Sequence, residues 1–156
     1  MILIVGGAFQ GKEVAARNMA RKMGRGDGGS VRVLEAEQCC LDALQQDPPD
    51  ILLNVHELVR RLLDETLFHV QSADGSSGSV AEEETVQKEL ERVFRGAMSR
   101  NPRLIVTMDE LGCGVVPMDY ADRAYRETAG RIGCFLARQA REVYRVVCGV
   151  ETQIKG

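Results

Sequence analysis

The chain has 156 residues, 44% of them hydrophobic and 28% charged, with a formal net charge of −3; this is the make-up of one globular domain, 1–156, built on a single core. Its slight acidity argues against indiscriminate binding to nucleic acid or to an anionic membrane and leaves open only a local basic patch. No run approaches the ~20 apolar residues of a membrane span, and the apolar start has no basic segment ahead of it, so a strand is expected there and not a leader peptide.

Met1-Ile2-Leu3-Ile4-Val5 is an apolar, β-branched run, the pattern of a strand buried on both faces. Gly6-Gly7-Ala8-Phe9-Gln10-Gly11-Lys12 follows directly, and 13–23 reads as a helix with Val14, Met19 and Met23 on its apolar stripe. Strand, Gly-rich turn and helix are the setting of a phosphate-binding loop, and Gly6-x-x-x-x-Gly11-Lys12 fits the Walker A spacing. Backbone amides crowd round a phosphate only where no Cβ intervenes. The first N–H groups of a helix have no intrahelical partner and point at an anion, and Lys12 adds a mobile charge for the outer phosphates. Gly6, Gly7, Ala8, Phe9, Gln10, Gly11, Lys12 and Glu13 are therefore the candidate nucleotide-binding residues. The template ends on a Ser or Thr whose hydroxyl meets Mg²⁺; Glu13 stands there instead, and its charge is expected to face the phosphates.

A flexible loop over 24–30 closes the first helix. A short strand is predicted over 31–35, a helix over 36–46 with Leu41 and Leu44 inward, a turn over 47–50 and an apolar strand over 51–55. Residues 57–70 form a strongly amphipathic helix with Leu58, Val59, Leu62, Leu63 and Leu67 on one side. The Ser/Gly-rich stretch that follows makes 71–81 a mobile surface insertion within the domain. A helix over 82–99 has an acidic start, which suits the helix dipole; a strand over 104–108 leads to Asp109-Glu110. Asp119 caps a helix from Tyr120 to about Arg141, and 143–150 is the last strand, with Cys148 in the core. The alternation of apolar strands and helices implies a mostly parallel sheet with helices on both faces, a three-layer, P-loop NTPase-like α/β fold. Ligands sit at the carboxyl ends of such strands, where the 6–13 loop, Asn54 and Asp109-Glu110 fall. Cys39, Cys40, Cys113, Cys134 and Cys148 are odd in number and form no CxxC pair, as expected of reduced thiols in a cytoplasmic protein. Cys113, between two glycines, is the one to test for reactivity, and His56 and His69 are expected at solvated helix ends.

The C-terminal part resembles a known family. Asp109-Glu110-Leu111-Gly112-Cys113-Gly114-Val115-Val116-Pro117 is similar to the Asn-Glu-Val-Gly-x-Gly-Ile-Val-Pro segment of bifunctional adenosylcobinamide kinase / adenosylcobinamide-phosphate guanylyltransferase, which acts late in cobalamin biosynthesis. Arg123-Ala124-Tyr125-Arg126-Glu127, Gly130-Arg131, the strand from Glu142 to Gly149 and Lys155 resemble its following motifs, and Ile2 to Ala8 its start. The family's Arg-Ser-Gly-Lys-Ser is replaced by Phe9-Gln10-Gly11-Lys12-Glu13, its middle-strand Glu by Asn54 and its Asn by Asp109. The segment that carries the family's guanylylated histidine is replaced by 24–30, which holds no His, so the guanylyl-histidine step is expected to be absent. Either Glu35 or Glu37 matches a nucleotide-contacting Glu.

The resemblance implies ATP- or GTP-dependent phosphoryl transfer with Mg²⁺ and a corrinoid acceptor, and a homo-oligomer, a trimer in that family. Lys12 and Glu110 are the candidate catalytic residues; Glu110 and Asp109 are the candidate Mg²⁺ ligands. Adjacent strand residues face opposite ways, so only one of that pair points inward, and Glu110 is the one expected. Arg123 and Arg126, three apart on one helix, share a face that could meet phosphates or acids of a neighbouring subunit. Two further readings stay open: a non-catalytic relative that binds a nucleotide or corrinoid, and a P-loop phosphotransferase whose substrate has changed.

Overall fold

The computed structural model describes residues 1–24, 30–74 and 80–156, with the backbone alone for 67–74 and 80–82. The strands are β1 (Ile2–Gly6), β2 (Val33–Glu35), β3 (Ile51–Leu53), β4 (Ile105–Asp109), β5 (Glu142–Val147) and β6 (Val150–Lys155). The helices are α1 (Lys12–Lys22), α2 (Leu41–Gln46), α3 (Val55–Asp74), α4 (Val80–Arg100) and α5 (Tyr120–Gln139), with a 3₁₀ turn at Ala36–Gln38.

The sheet order is β2-β3-β4-β1-β5-β6, parallel throughout except for the antiparallel β5–β6 pair. Alternation sorts the strand residues into two cores. Leu3, Leu52, Val106, Met108 and Val143 face the layer of α2, α3, α4 and α5, where Leu58, Leu63, Leu90, Phe94 and Phe135 are buried. Ile2, Ile4, Ile51, Leu53, Ile105 and Val146 face α1, which covers them with Ala15, Ala16, Met19 and Ala20. Burying each large aliphatic or aromatic side chain stabilises the fold by ~1.5–3 kcal/mol, and the three alanines let α1 lie close on the sheet. The expected three-layer, mostly parallel α/β architecture is what the chain adopts.

Several local expectations are corrected. The helix expected over 36–46 is interrupted, because Cys39 and Cys40 are extended and separate the 3₁₀ turn from α2. The strand expected over 143–150 is a hairpin: Cys148 and Gly149 have φ of 49° and 79°, the pair of positive angles that a two-residue turn needs to match strand twist. Cys148 is therefore exposed at the turn and not in the core, and β6 is a strand the sequence did not announce. Val14 is 63% exposed and lies off the buried face of α1. The helices run into the expected insertion, with 71–74 in α3 and 80–81 in α4. Its remainder, 75–79, lies outside the described residues, as do 25–29 of the first loop and the side chains of Leu67 and His69.

Candidate functional site

The site is built at the carboxyl edge of β1 and β4. A side chain at Gly6 would run into the Val146 carbonyl oxygen of neighbouring β5, so the turn has to begin on a residue with no Cβ. The chain then turns through Phe9, at φ 57° and wholly exposed, to Gly11 at φ 90°. Gly11 is the N-cap of α1 and gives the helix no side-chain cap. The first intrahelical donor is Ala15 N–H, which bonds Gly11 O at 3.0 Å, so the amides of residues 12–14 precede the helical ladder and make the anion-binding end of α1. The loop is anchored from outside: the Cys148 N–H donates to the Gln10 side-chain oxygen and the Gly149 N–H to the Gln10 carbonyl at 3.0 Å. The hairpin missing from the sequence reading is thus what fixes the loop.

Lys12 folds back beneath this turn. Its Nζ donates to Gly7 O at 2.7 Å and pairs with Asp109 Oδ1 at 2.6 Å, the two side chains being 7% and 12% exposed. Asp109 faces Lys12 because Met108 belongs to the opposite core, so the next residue of β4 points to the α1 side. The structure thus turns the other carboxylate of the pair inward from the one expected. Glu110 is held by Arg145, whose Nε donates to Glu110 Oε2 at 3.0 Å. Glu13 is likewise paired along the helix, where Arg17 Nε donates to Glu13 Oε1 at 2.8 Å.

The β3–α3 junction completes the site. β3 leaves the sheet after Leu53, with Asn54 at φ 58°, so β4 loses its neighbour at its upper end. Side chains take over the ladder: Asn54 N–H donates to Thr107 Oγ1 at 2.9 Å and Asp109 N–H to His56 Nδ1 at 3.1 Å. His56 is 5% exposed and is not a solvated helix end as expected. Its Nε2 lies 3.2 Å from Glu57 Oε1 and 3.6 Å from Asp109 Oδ2. Burial lowers the His56 pKa, against the pull of Asp109 and Glu57, and the bond at Nδ1 puts the proton of the neutral ring on Nε2. The Asn54 amide nitrogen donates to Glu35 Oε2 at 3.0 Å, which brings one of the two candidate glutamates to the edge of the site.

Arg123 and Arg126 serve the segment that follows β4. Arg126 donates to Gly112 O at 2.6 Å, Val115 O at 2.8 Å and Gly114 O at 3.2 Å, and Arg123 to the carbonyls of Pro117 and Met118. Both guanidinium groups are spent on loop backbone, and Val115 and Met118 are left exposed. Cys113 is exposed on the same loop, its Sγ 3.9 Å from Glu110 Oε1.

A cavity of about 590 Å³ opens at Lys12, lined by Phe9, Glu13 and Val14 from the loop and the start of α1 and by Asn54, Glu57 and Asp109 from the β3–α3 junction and the end of β4. Among the described residues no group of three or more His, Cys, Asp or Glu side chains is arranged to hold a metal ion. A nucleotide-bound Mg²⁺ asks for less, one or two carboxylates with phosphate oxygens and water making up the rest, and Asp109 is a carboxylate that fits this need. No helix among the described residues is long and apolar enough to cross a membrane.

Comparison with known proteins adds a family. The model for cobinamide kinase / cobinamide phosphate guanyltransferase matches residues 28–154, a span that starts beyond the 6–13 loop. The proteins described as bifunctional adenosylcobalamin biosynthesis protein CobU from Escherichia coli and from Salmonella typhimurium are each 31% identical to this chain over 75 residues. That stretch is 48% of this chain and 41% of each relative, so the match takes in less than half the length of these curated proteins.

Proposed function

Since the chain belongs to the cobinamide kinase / cobinamide phosphate guanyltransferase family, we propose that it binds ATP or GTP with Mg²⁺ at the 6–13 loop and transfers the terminal phosphoryl group to a corrinoid. The guanylyl-histidine half of the family's chemistry is absent from this proposal. The observation that carries it is the buried Lys12 ammonium beneath a glycine-rich turn, at the N-terminus of α1 and beside Asp109. Phosphoryl transfer asks a protein for positioning and charge neutralisation more than for covalent help. The loop amides hold the phosphates, Lys12 reaches the outer ones, and Asp109 holds the cation; when bound, Mg²⁺ neutralises charge on the transferring group. Glu110 joins Asp109 only by releasing Arg145. Phe9 and Val14 give the cavity an apolar wall suited to a large acceptor. A cytoplasmic location, a single domain and a homo-oligomer, a trimer by family resemblance, belong to the same proposal.

One observation favours a second reading, a non-catalytic protein that binds a nucleotide or corrinoid: an amide, Asn54, ends β3, and it is committed to Glu35. The two readings separate when the protein is incubated with Mg²⁺, cobinamide and γ-labelled ATP or GTP. Label in the corrinoid is the expected result. Nucleotide binding with no labelled corrinoid favours the second reading. α-Labelled GTP is expected to leave no acid-labile label on the protein.

A further inference from the structure

We propose that Asp109 makes this site select a metal-complexed nucleotide over a free polyphosphate, by holding Lys12 until a divalent cation takes the carboxylate. The inference rests on the nucleotide reading of the 6–13 loop. Lys12 has two partners, Gly7 O at 2.7 Å and Asp109 Oδ1 at 2.6 Å. An incoming phosphate has to compete with both. The carbonyl is neutral and easily given up, but the carboxylate is not. With its side chain 12% exposed, Asp109 has little water to replace the ammonium, and removing one partner of a buried ion pair leaves an uncompensated charge. A metal-free triphosphate would add its own negative charge beside that carboxylate.

Among the described residues no other cation is paired with Asp109. Its Oδ2 is 3.6 Å from His56 Nε2, but that nitrogen lies nearer to Glu57 Oε1, at 3.2 Å, and the ring's Nδ1 accepts from the Asp109 N–H. The Arg17 guanidinium is paired with Glu13 and the Arg145 guanidinium with Glu110. Glu57, on the cavity wall, adds a further negative charge. Asp109 would hold a divalent cation that arrives with the polyphosphate, the cation's charge would replace that of the ammonium, and Lys12 would then be free to turn to the polyanion. Cation and nucleotide then strengthen each other's binding by the same factor, as linkage requires. The carboxylate is therefore a specificity device as well as a ligand. Glu13, which replaces the usual hydroxyl at the end of the loop, lines the same cavity but is paired with Arg17 and makes no contact with Lys12.

The test is four calorimetric titrations: wild type and Asp109→Asn, each with ATP in EDTA and with ATP in excess Mg²⁺. Wild type is expected to gain about tenfold or more in affinity from Mg²⁺. Asp109→Asn, which keeps the shape and removes the charge, is expected to bind metal-free ATP about tenfold more tightly than wild type and to lose most of the gain from Mg²⁺. Inorganic tripolyphosphate should follow the same order, since the selection acts on the phosphates. If wild type binds ATP equally with and without Mg²⁺, the latch is refuted with no variant needed. If wild type binds Mg-ATP but a folded Asp109→Asn shows no gain for metal-free ATP, selection by Asp109 is refuted while the nucleotide reading stands. If neither protein binds ATP or tripolyphosphate under any condition, both are refuted.

Discussion

His56 is the residue whose replacement tests the site's construction most sharply. It lies just past the end of β3 and supplies, through Nδ1, the acceptor that a continuing β3 would have given to the Asp109 N–H. Leucine at this position fills a similar volume but accepts no hydrogen bond, so His56→Leu leaves that amide orphaned. The cost is the desolvation penalty of an unsatisfied buried donor, about 1–3 kcal/mol. Loss of the contact to half-exposed Glu57 adds no more than about 1 kcal/mol. Asparagine, whose side-chain oxygen can stand near the Nδ1 position, should recover much of the loss, leaving mainly the smaller packing deficit. Urea unfolding at about pH 8, where histidine is neutral in both states, reads these differences directly. His56→Leu as stable as wild type, or no more destabilised than His56→Asn, would refute the role given to the imidazole.

Gly6→Ala forces a methyl group against the Val146 carbonyl on β5; a loss of about 1–3 kcal/mol, with weakened nucleotide binding, is expected from denaturant melts and calorimetry. Arg126→Ala removes a guanidinium that gathers the carbonyls of Gly112, Gly114 and Val115. Global stability should move by less than about 1 kcal/mol for a surface change of this kind, while hydrogen exchange of residues 112–118 accelerates. Tyr125 is buried against α3 under the Arg60 guanidinium, and burial, with Glu57 adding to it, pushes its phenol from 10.0 up to about 12. Below pH 10 both states are protonated; above it the unfolded chain ionises first, so this tyrosine's contribution to stability is lost as pH climbs from 10 toward 12. Melts at about pH 9 and about pH 11 should show a smaller loss for Tyr125→Phe than for wild type.

The framework was legible where local pattern decides it. Met1 to Lys12 announced strand, turn and helix, because apolar β-branched residues followed by glycine and lysine leave the backbone few alternatives. The apolar strands, the amphipathic face of α3 and the Asp119 cap of α5 were read for the same reason. What stayed hidden depends on contacts distant in sequence. His56 looks like a helix-end residue until β3 departs at Asn54 and leaves the Asp109 N–H in need of an acceptor; the one available signal was its place three residues beyond a buried strand. The choice of Asp109 over Glu110 follows from β4 running one residue further than expected, which the parallel register of Gly6 with Asp109 requires. Glu13 was read from the template as facing the phosphates; it does line the cavity, but the template says nothing of Arg17, one turn on, which pairs with it. Cys148-Gly149 lacks the Asn-Gly signature of a tight hairpin, so the turn that anchors Gln10 was read as continuous strand and β6 was not foreseen.

The central claim is that the 6–13 loop and Lys12 still take a polyphosphate with a glutamate at the position after the lysine. Calorimetric titration of the wild-type protein with Mg-ATP and Mg-GTP, beside Lys12→Ala, addresses it most directly. Wild type is expected to bind at least one of them more tightly than about 1 mM, with the binding abolished in Lys12→Ala. Absence of measurable heat from either nucleotide at millimolar concentration, or equal binding by Lys12→Ala, would contradict it.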